Sequence, residues 1–351
     1  MLLDICKKLT YRRLDISISP KAEVIIEGWL GGLIRNNLLY AAEQVQTPEG
    51  DSLLSELERF PLPESHPLAA ILKGGFPKSF AIAVLSPVNM LSFPLKLQEG
   101  ETIVFSLVLI GQVSRYYKEF VEAVRLMCNK GIGTPQTPLV LHEICEKDGW
   151  GRSNRIAVEH SDKIAPLRFP VCPEDYREEQ FGRKEKVVRL QFRSPMLLAV
   201  PSKKKDRTLS YQDKMNAFPS FYQFVRSAIF RGVRLSALYA CPGEVGLYQR
   251  AMEEVETYLE GAASALLMKA NIRWVRIPGP RRNDGRPPML FSGYVGELVF
   301  VGDFSEYVPF LSFMQALGNG NDTVYGLVHA VINHWGLFTD KAGKWKFKLY
   351  H

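Results

Sequence analysis

The first half of the chain contains four stretches whose apolar character predicts β-strands. Each is a short run bounded by polar or turn-forming residues, and Val, Ile, Leu and Phe dominate the longest, as they do in buried strands. The four predicted strands are Leu14–Ile18, Ser79–Leu85, Thr102–Ile110 and Leu139–Ile144. Two predicted helices separate them, so the pattern alternates between a strand-like and a helix-like period.

The first helix follows a glycine turn beginning at Gly28 and continues through Ala42. The second runs from Ser114, a candidate N-cap, to Gly131, because its apolar residues recur three and four positions apart. The order of elements is therefore βαββαβ, which predicts a ferredoxin-like unit.

The same order restarts in the second half. Residues 149–185 are rich in charge, Pro and Gly, which predicts an irregular connection. The later predicted elements are Val187–Phe192, Phe218–Ala240, Ile272–Ile277, Met289–Val301, Ser305–Leu317 and Thr323–Asn333. We therefore predict an α+β fold with two tandem ferredoxin-like (βαββαβ, RRM-like) domains, at residues 1–148 and 186–351. The periodicity alone leaves open another two-domain α+β arrangement.

Composition narrows the class of protein. The chain has 351 residues, of which 46% are hydrophobic and 23% charged, and it contains no apolar run of about 20 residues that would span a membrane. The N-terminal residues do not follow the order of a secretory signal, so we expect a cytoplasmic protein. The five cysteines are widely spaced without a C-x-x-C pair, which argues against a disulfide framework or a zinc site.

Positive charge favours a polyanionic partner. The formal net charge is +7, and the sequence pI is about 9.0. Basic residues cluster at Lys203, Lys204 and Lys205, on the predicted helix Phe218–Ala240, and around a predicted hairpin loop, Pro278–Pro288. We expect these segments to share one surface.

Two glycine-rich segments resemble a known family. The segment Phe291–Asp303 contains Gly293 and Gly296 in a G-x-x-G pattern, and Leu317–Gly326 contains Gly318 and Gly320. Together with the glycine turn at residues 28–35, these segments resemble CRISPR-associated endoribonucleases of the RAMP superfamily, which cut precursor guide RNA within its repeats. The chain departs from the family at Asn321, where a basic residue is common, and at Val328, where glycine is expected.

The resemblance implies a function and its partners. It implies that the chain binds CRISPR repeat RNA and cleaves precursor crRNA by attack of a ribose 2′-hydroxyl, leaving a 2′,3′-cyclic phosphate, without a metal or other cofactor. Other CRISPR-associated proteins are further candidate partners. Two alternatives stay open: a catalytically inactive crRNA-binding subunit of the same superfamily, and a protein-interaction module of a CRISPR complex.

Candidate RNA-binding residues are arginines, lysines and the glycine-rich loop. Arginine forks suit phosphates and guanine edges, and successive glycyl N–H groups can surround an anion. The candidates are Lys203, Lys204, Lys205, Arg226, Arg231, Arg234, Arg276, Arg281, Arg282, Arg286, Gly318, Asn319, Gly320 and Asn321. The lysine run is equally consistent with a solvated surface.

The catalytic residues are harder to identify. The resemblance implies a histidine on or near the first helix, but Arg35–Ala42 contains none. His66 is the candidate closest in sequence, because histidine titrates near neutral pH and can act as a general base. Without it, Arg35 and Tyr40 could stabilise charge and donate a hydrogen bond, although Tyr40 could equally belong to the core.

Overall fold

The computed structural model describes residues 4–72, 76–86, 91, 93–149, 151–159, 161–176, 187–196, 219–279, 288, 290–318, 330–339 and 345–349. It shows two α+β units that follow one another along the chain, which confirms the predicted fold class. The predictions for Lys203, Lys204, Lys205, Arg281, Arg282, Arg286, Asn319, Gly320 and Asn321 lie outside the described residues.

The first unit contains a sheet with helices packed on one face. Its elements are β1 (Tyr11–Pro20), β2 (Val24–Ile26), α1 (Leu30–Gln44), α2 (Leu53–Glu58), α3 (Ala69–Leu72), β3 (Phe80–Ser86), β4 (Leu95–Leu97), β5 (Ile103–Ile110), α4 (Tyr117–Lys130), β6 (Leu139–Lys147) and β7 (Ser153–Val158). The sheet order is β3-β5-β1-β6-β7, and every neighbouring pair is antiparallel. Without β7 this is the order of a ferredoxin-like sheet.

The second unit repeats this topology. Its elements are β8 (Val187–Met196), α5 (Phe221–Tyr239), α6 (Val245–Leu259), β9 (Leu266–Pro278), β10 (Leu290–Val301), α7 (Val308–Leu317), β11 (Ala330–Thr339) and β12 (Trp345–Leu349). The sheet order is β12-β11-β8-β10-β9. In both units a fifth strand, β7 or β12, pairs with the last ferredoxin strand, so the structural repeat is longer than the predicted βαββαβ.

Three local predictions need correction. The connection predicted to be irregular contains β7, which pairs with β6. Ser114 does not cap α4, because its hydroxyl donates to the carbonyl of Gly111 in a 3-10 turn that precedes the helix. Helix α6 was missed, although Tyr248, Ala251 and the later apolar residues on its buried face recur at helical spacing. The predicted helix end at Gly131 is confirmed.

A buried carboxylate joins the first sheet to the segment that follows it. Glu146 is fully buried and accepts hydrogen bonds from Arg12 Nη1 at 2.8 Å and from the backbone N–H groups of Arg168 and Phe169 at 2.6 and 3.0 Å. Asn154 Nδ2 donates to it as well, at 3.3 Å. The carboxylate is therefore compensated from four directions, as a buried charge must be to avoid a large desolvation cost.

The two units contact one another through helices of the second unit. The rings of Tyr11 on β1 and Phe313 on α7 are 5.4 Å apart, and Phe313 is fully buried. Lys8 forms an ion pair with Glu244, which precedes α6, at 3.0 Å. The apolar residues of both units consequently form one continuous core.

Candidate nucleic-acid interface

The N-terminus of α1 meets the end of the β9–β10 hairpin. The backbone N–H of Trp29 donates to the carbonyl of Pro278 at 2.8 Å, and Trp29 is fully buried. Gly28 has no room for a side chain, since a Cβ atom there would lie 2.4 Å from the carbonyl oxygen of Gly279. The glycine turn singled out in the sequence therefore permits close contact between the backbones of the two units.

A second contact fixes the segment before β3. The hydroxyl of Tyr239, at the end of α5, donates to the carbonyl of Pro77 at 2.9 Å. Burial raises the pKa of Tyr239, so the phenol remains a neutral donor at physiological pH. Pro77 and its neighbour Lys78 are thereby held against the second unit. We call the region around these two contacts, Trp29 to Pro278 and Tyr239 to Pro77, the junction.

Two cations lie within electrostatic range of each other at the junction. Arg35 on α1 is half-buried, and Lys78 is half-buried above the ring of Phe76, with Nζ 4.4 Å from the ring centroid. Burial lowers the pKa of Lys78, and the charge of Arg35 lowers it further, although Glu58 opposes the shift. An anion bound between two such cations would relieve their repulsion. Lys78 was not identified from the sequence.

The hairpin brings a third cation to the same region. Arg276 is exposed on β9, two residues before Pro278, and pairs in register with Ser292 on β10. The contact from Trp29 to Pro278 therefore brings the end of β9 that carries Arg276 to the start of α1, the helix that carries Arg35.

Arg231 stabilises the C-terminus of α7. Its Nε and Nη2 atoms donate to the carbonyl of Leu317, the last residue of α7, at 3.3 and 3.0 Å. Burial lowers its pKa to about 10, so it stays charged near neutral pH and opposes the negative end of the α7 dipole. Gly318 follows, with a φ of 73° that favours glycine. Arg231 therefore has a structural role, and its contact with RNA stays a prediction.

The other arginines of α5 differ in their surroundings. Arg226 stacks over the ring of Phe230 at 4.4 Å and lies 3.7 Å from Glu256 of α6. Arg234 is exposed and makes no hydrogen bond or ion pair with any residue that the structure describes. The acidic helix α6 neutralises part of the surface predicted to be basic, because its exposed positions carry glutamates that include Glu253, Glu254 and Glu256.

Tyr40 and His66, two of the predicted catalytic residues, have different surroundings. Tyr40 is 50% exposed, and Lys130 Nζ lies 3.2 Å from its ring centroid. Tyr40 follows Arg35 by five positions, which places the two about 140° apart around α1. His66 is half-buried beside Gly243 in the second unit. Its Nδ1 accepts from the N–H of Leu68 at 3.1 Å, so the neutral ring carries its proton on Nε2 and offers a donor there, not a base.

Two further observations concern cofactors and membranes. The part of the chain that the structure describes holds no group of three or more His, Cys, Asp or Glu side chains that could bind a metal ion. Within the same residues, no helix has the length and apolar character needed to cross a bilayer.

Comparison with known proteins identifies the fold. The family AF_1859_N, an N-terminal domain, matches residues 76–168, and no curated protein matches the sequence. A Cas6 product complex matches 92% of this chain and 99% of its own, with 16% identity and a TM-score of 0.50. The chain also matches part of a partial Cas6-RT-Cas1–Cas2 complex, covering 93% of this chain and 46% of that one, with 10% identity and a TM-score of 0.56.

The corresponding match to the Cas6-RT-Cas1–Cas2 complex covers 93% of this chain and 29% of that one, again with 10% identity and a TM-score of 0.56. The present chain thus spans less than half of the longer chains in these two complexes. At such identities the similarity establishes the fold, and the chain has the Cas6 fold that the glycine motifs led us to expect.

Proposed function

We propose that this chain, which has the Cas6 fold, binds CRISPR repeat RNA at the junction and cleaves it there. The observation that carries the proposal is the placement of Arg35, Lys78 and Arg276 around a contact between the two units. Guanidinium and ammonium groups bind phosphate through charge-assisted hydrogen bonds, and half-buried cations do so with less screening than fully solvated ones. Arg281, Arg282 and Arg286 lie between β9 and β10 in the sequence and remain candidate RNA contacts.

Cleavage would proceed by attack of a ribose 2′-hydroxyl on the adjacent phosphate. This reaction needs in-line positioning and stabilisation of the charge on the crowded phosphorane. Arg35 and Lys78 would supply that stabilisation, and the Nε2–H of His66 would donate a hydrogen bond to the phosphate if the RNA reached it. Water would take the proton of the attacking 2′-hydroxyl and supply one to the departing 5′-oxygen. The products would be a 2′,3′-cyclic phosphate and a 5′-hydroxyl.

Incubation with labelled repeat RNA in EDTA tests the reaction. We expect a product that ends in a cyclic phosphate, and a binding constant that falls linearly with salt on logarithmic axes. Specific binding without product would support a crRNA-binding subunit and reject the nuclease. Absence of both binding and cleavage would reject the proposed function as a whole.

Neutralising Lys78 should reduce RNA affinity without reducing the stability of the fold. Lys78→Gln removes a cation whose pKa is lowered by burial and by Arg35, so we expect no decrease in the thermal midpoint near pH 7. RNA affinity should fall, and the salt slope should decrease by about 0.7 to 0.9. Fluorescence anisotropy at several salt concentrations measures both quantities.

Lys118→Gln is the matched control, since Lys118 is an exposed lysine on α4. Its RNA affinity and salt slope should equal those of the parent chain. If both variants weaken binding equally, the effect is general to the net charge, and the proposed phosphate contact at Lys78 is wrong.

A non-catalytic RNA-binding subunit is the second candidate. It is favoured by the hydrogen bond that occupies Nδ1 of His66 and by the lack of a histidine on α1. In that case RNA would bind at the same cations, and Lys78→Gln would reduce its affinity without any cleavage being lost.

A further inference from the structure

Strand β9 forms one edge of the second sheet. It pairs with β10 on one side, and no other strand among the described residues pairs with its outer side. The backbone N–H and C=O groups on an outer edge can accept another strand. The half of β9 from Leu266 to Asn271 is exposed at every residue, whereas most of β10 beside it is buried.

The two faces of this exposed half differ in chemistry. Lys269, Asn271 and Arg273 alternate with Met268, Ala270 and Ile272, so one face is polar and basic and the other is apolar. Met268 is 53% exposed. The strand itself carries no carboxylate. A strand added to this edge would therefore match it best with carboxylates on one face and apolar side chains on the other.

We propose that the outer edge of β9, from Met268 to Arg273, binds an extended peptide segment in which carboxylate and apolar side chains alternate. Main-chain hydrogen bonds would give affinity, and Arg273 would select the carboxylates, since it forms no ion pair with any residue that the structure describes. Lys269 contributes less, because it already faces Glu297 at 3.4 Å.

Charge and position argue against two other occupants. A second copy could pair its β9 antiparallel to this one, with the two Asn271 residues opposite each other. Lys269 of each copy would then face Arg273 of the other, and like charges directly opposite are destabilising. Nucleic acid would leave the exposed apolar side chain of Met268 unmatched. The Met268 end of the edge is also displaced from the junction, because Met268 and Arg276 are about 26 Å apart along an extended strand, whereas Arg273 is about 10 Å from Arg276.

Hydrogen exchange of the full chain, read by mass spectrometry, tests the proposal. The probe is a peptide of about eight residues that alternates glutamate and valine, a length typical of strands. We expect it to slow exchange of amides between Met268 and Arg273. Two control peptides should leave the exchange rates of these amides unchanged. One has lysine in place of glutamate, and the other has the same composition with all glutamates before all valines.

The variant Arg273→Glu should weaken binding of the probe about tenfold or more, through loss of attraction and new repulsion. Arg250→Glu, which changes an exposed arginine on α6, should bind the probe like the parent chain. The proposal is overturned if the probe gives no protection, if the lysine peptide protects equally, or if repeat RNA or self-association protects this edge instead.

Discussion

Replacing Glu146 by alanine should destabilise the first unit by about 3 to 5 kcal/mol, the cost typical of breaking a buried charge pair from one side. The loss would leave Arg12 without its 2.8 Å partner and two backbone N–H groups, of Arg168 and Phe169, without an acceptor. Each buried donor left unsatisfied adds a desolvation penalty. Chemical denaturation, followed by fluorescence and circular dichroism, measures the change.

Glu143→Ala provides the comparison on the same strand. Its carboxylate pairs with Arg155 at 2.9 Å, but the two side chains are 39% and 66% exposed. An exposed pair of this kind contributes about 0 to 1 kcal/mol. If both variants lose the same stability, burial does not govern the strength of the Glu146 interaction and our interpretation of its role fails.

Replacing Gly28 by alanine should weaken the contact between the units. The added Cβ would lie 2.4 Å from the Gly279 carbonyl oxygen, which is backbone and cannot rotate away. Relief requires displacement of the hairpin and of the hydrogen bond from Trp29 to Pro278. We expect a loss of about 1 to 3 kcal/mol, the range for overpacking, together with weaker RNA binding.

Gly246→Ala is the matched substitution, since a Cβ at Gly246 in α6 meets nothing within 4 Å. It should be neutral or stabilise the chain by up to about 1 kcal/mol through helix propensity. Thermal unfolding and RNA anisotropy of both variants report the outcome. Parental stability and RNA affinity in Gly28→Ala would show that the units do not depend on this close approach.

The fold could be predicted from the sequence because its signals are local. Strand composition and the helical spacing that ends at Gly131 both depend on nearby residues. The glycines at 28 and 293 could be recognised as a motif, but their contacts with Gly279 and Met196 could not. The prediction omitted α6, whose exposed positions carry glutamates such as Glu253 and Glu256. Its buried residues, Tyr248 and Val255 among them, did carry the required period.

The candidate site was less predictable, because it depends on contacts between distant segments. Arg231 and Arg234 are three residues apart on one helix, yet the first holds the carbonyl of Leu317 and the second is exposed. Lys78 lies in no recognisable sequence motif. It became a candidate phosphate contact because the structure places it within electrostatic range of Arg35. The role of His66 depends on a backbone hydrogen bond from Leu68, which no periodicity reveals.

Residues after 148 are needed to complete the first unit, which matters for the expression of fragments. Strand β7 pairs with β6, and Glu146 accepts hydrogen bonds from the backbone of Arg168 and Phe169. A truncation after residue 148 would strip the first unit of β7 and leave a buried carboxylate without its backbone donors. The backbone of Val171 also pairs with Tyr11, so any N-terminal fragment should extend past that residue.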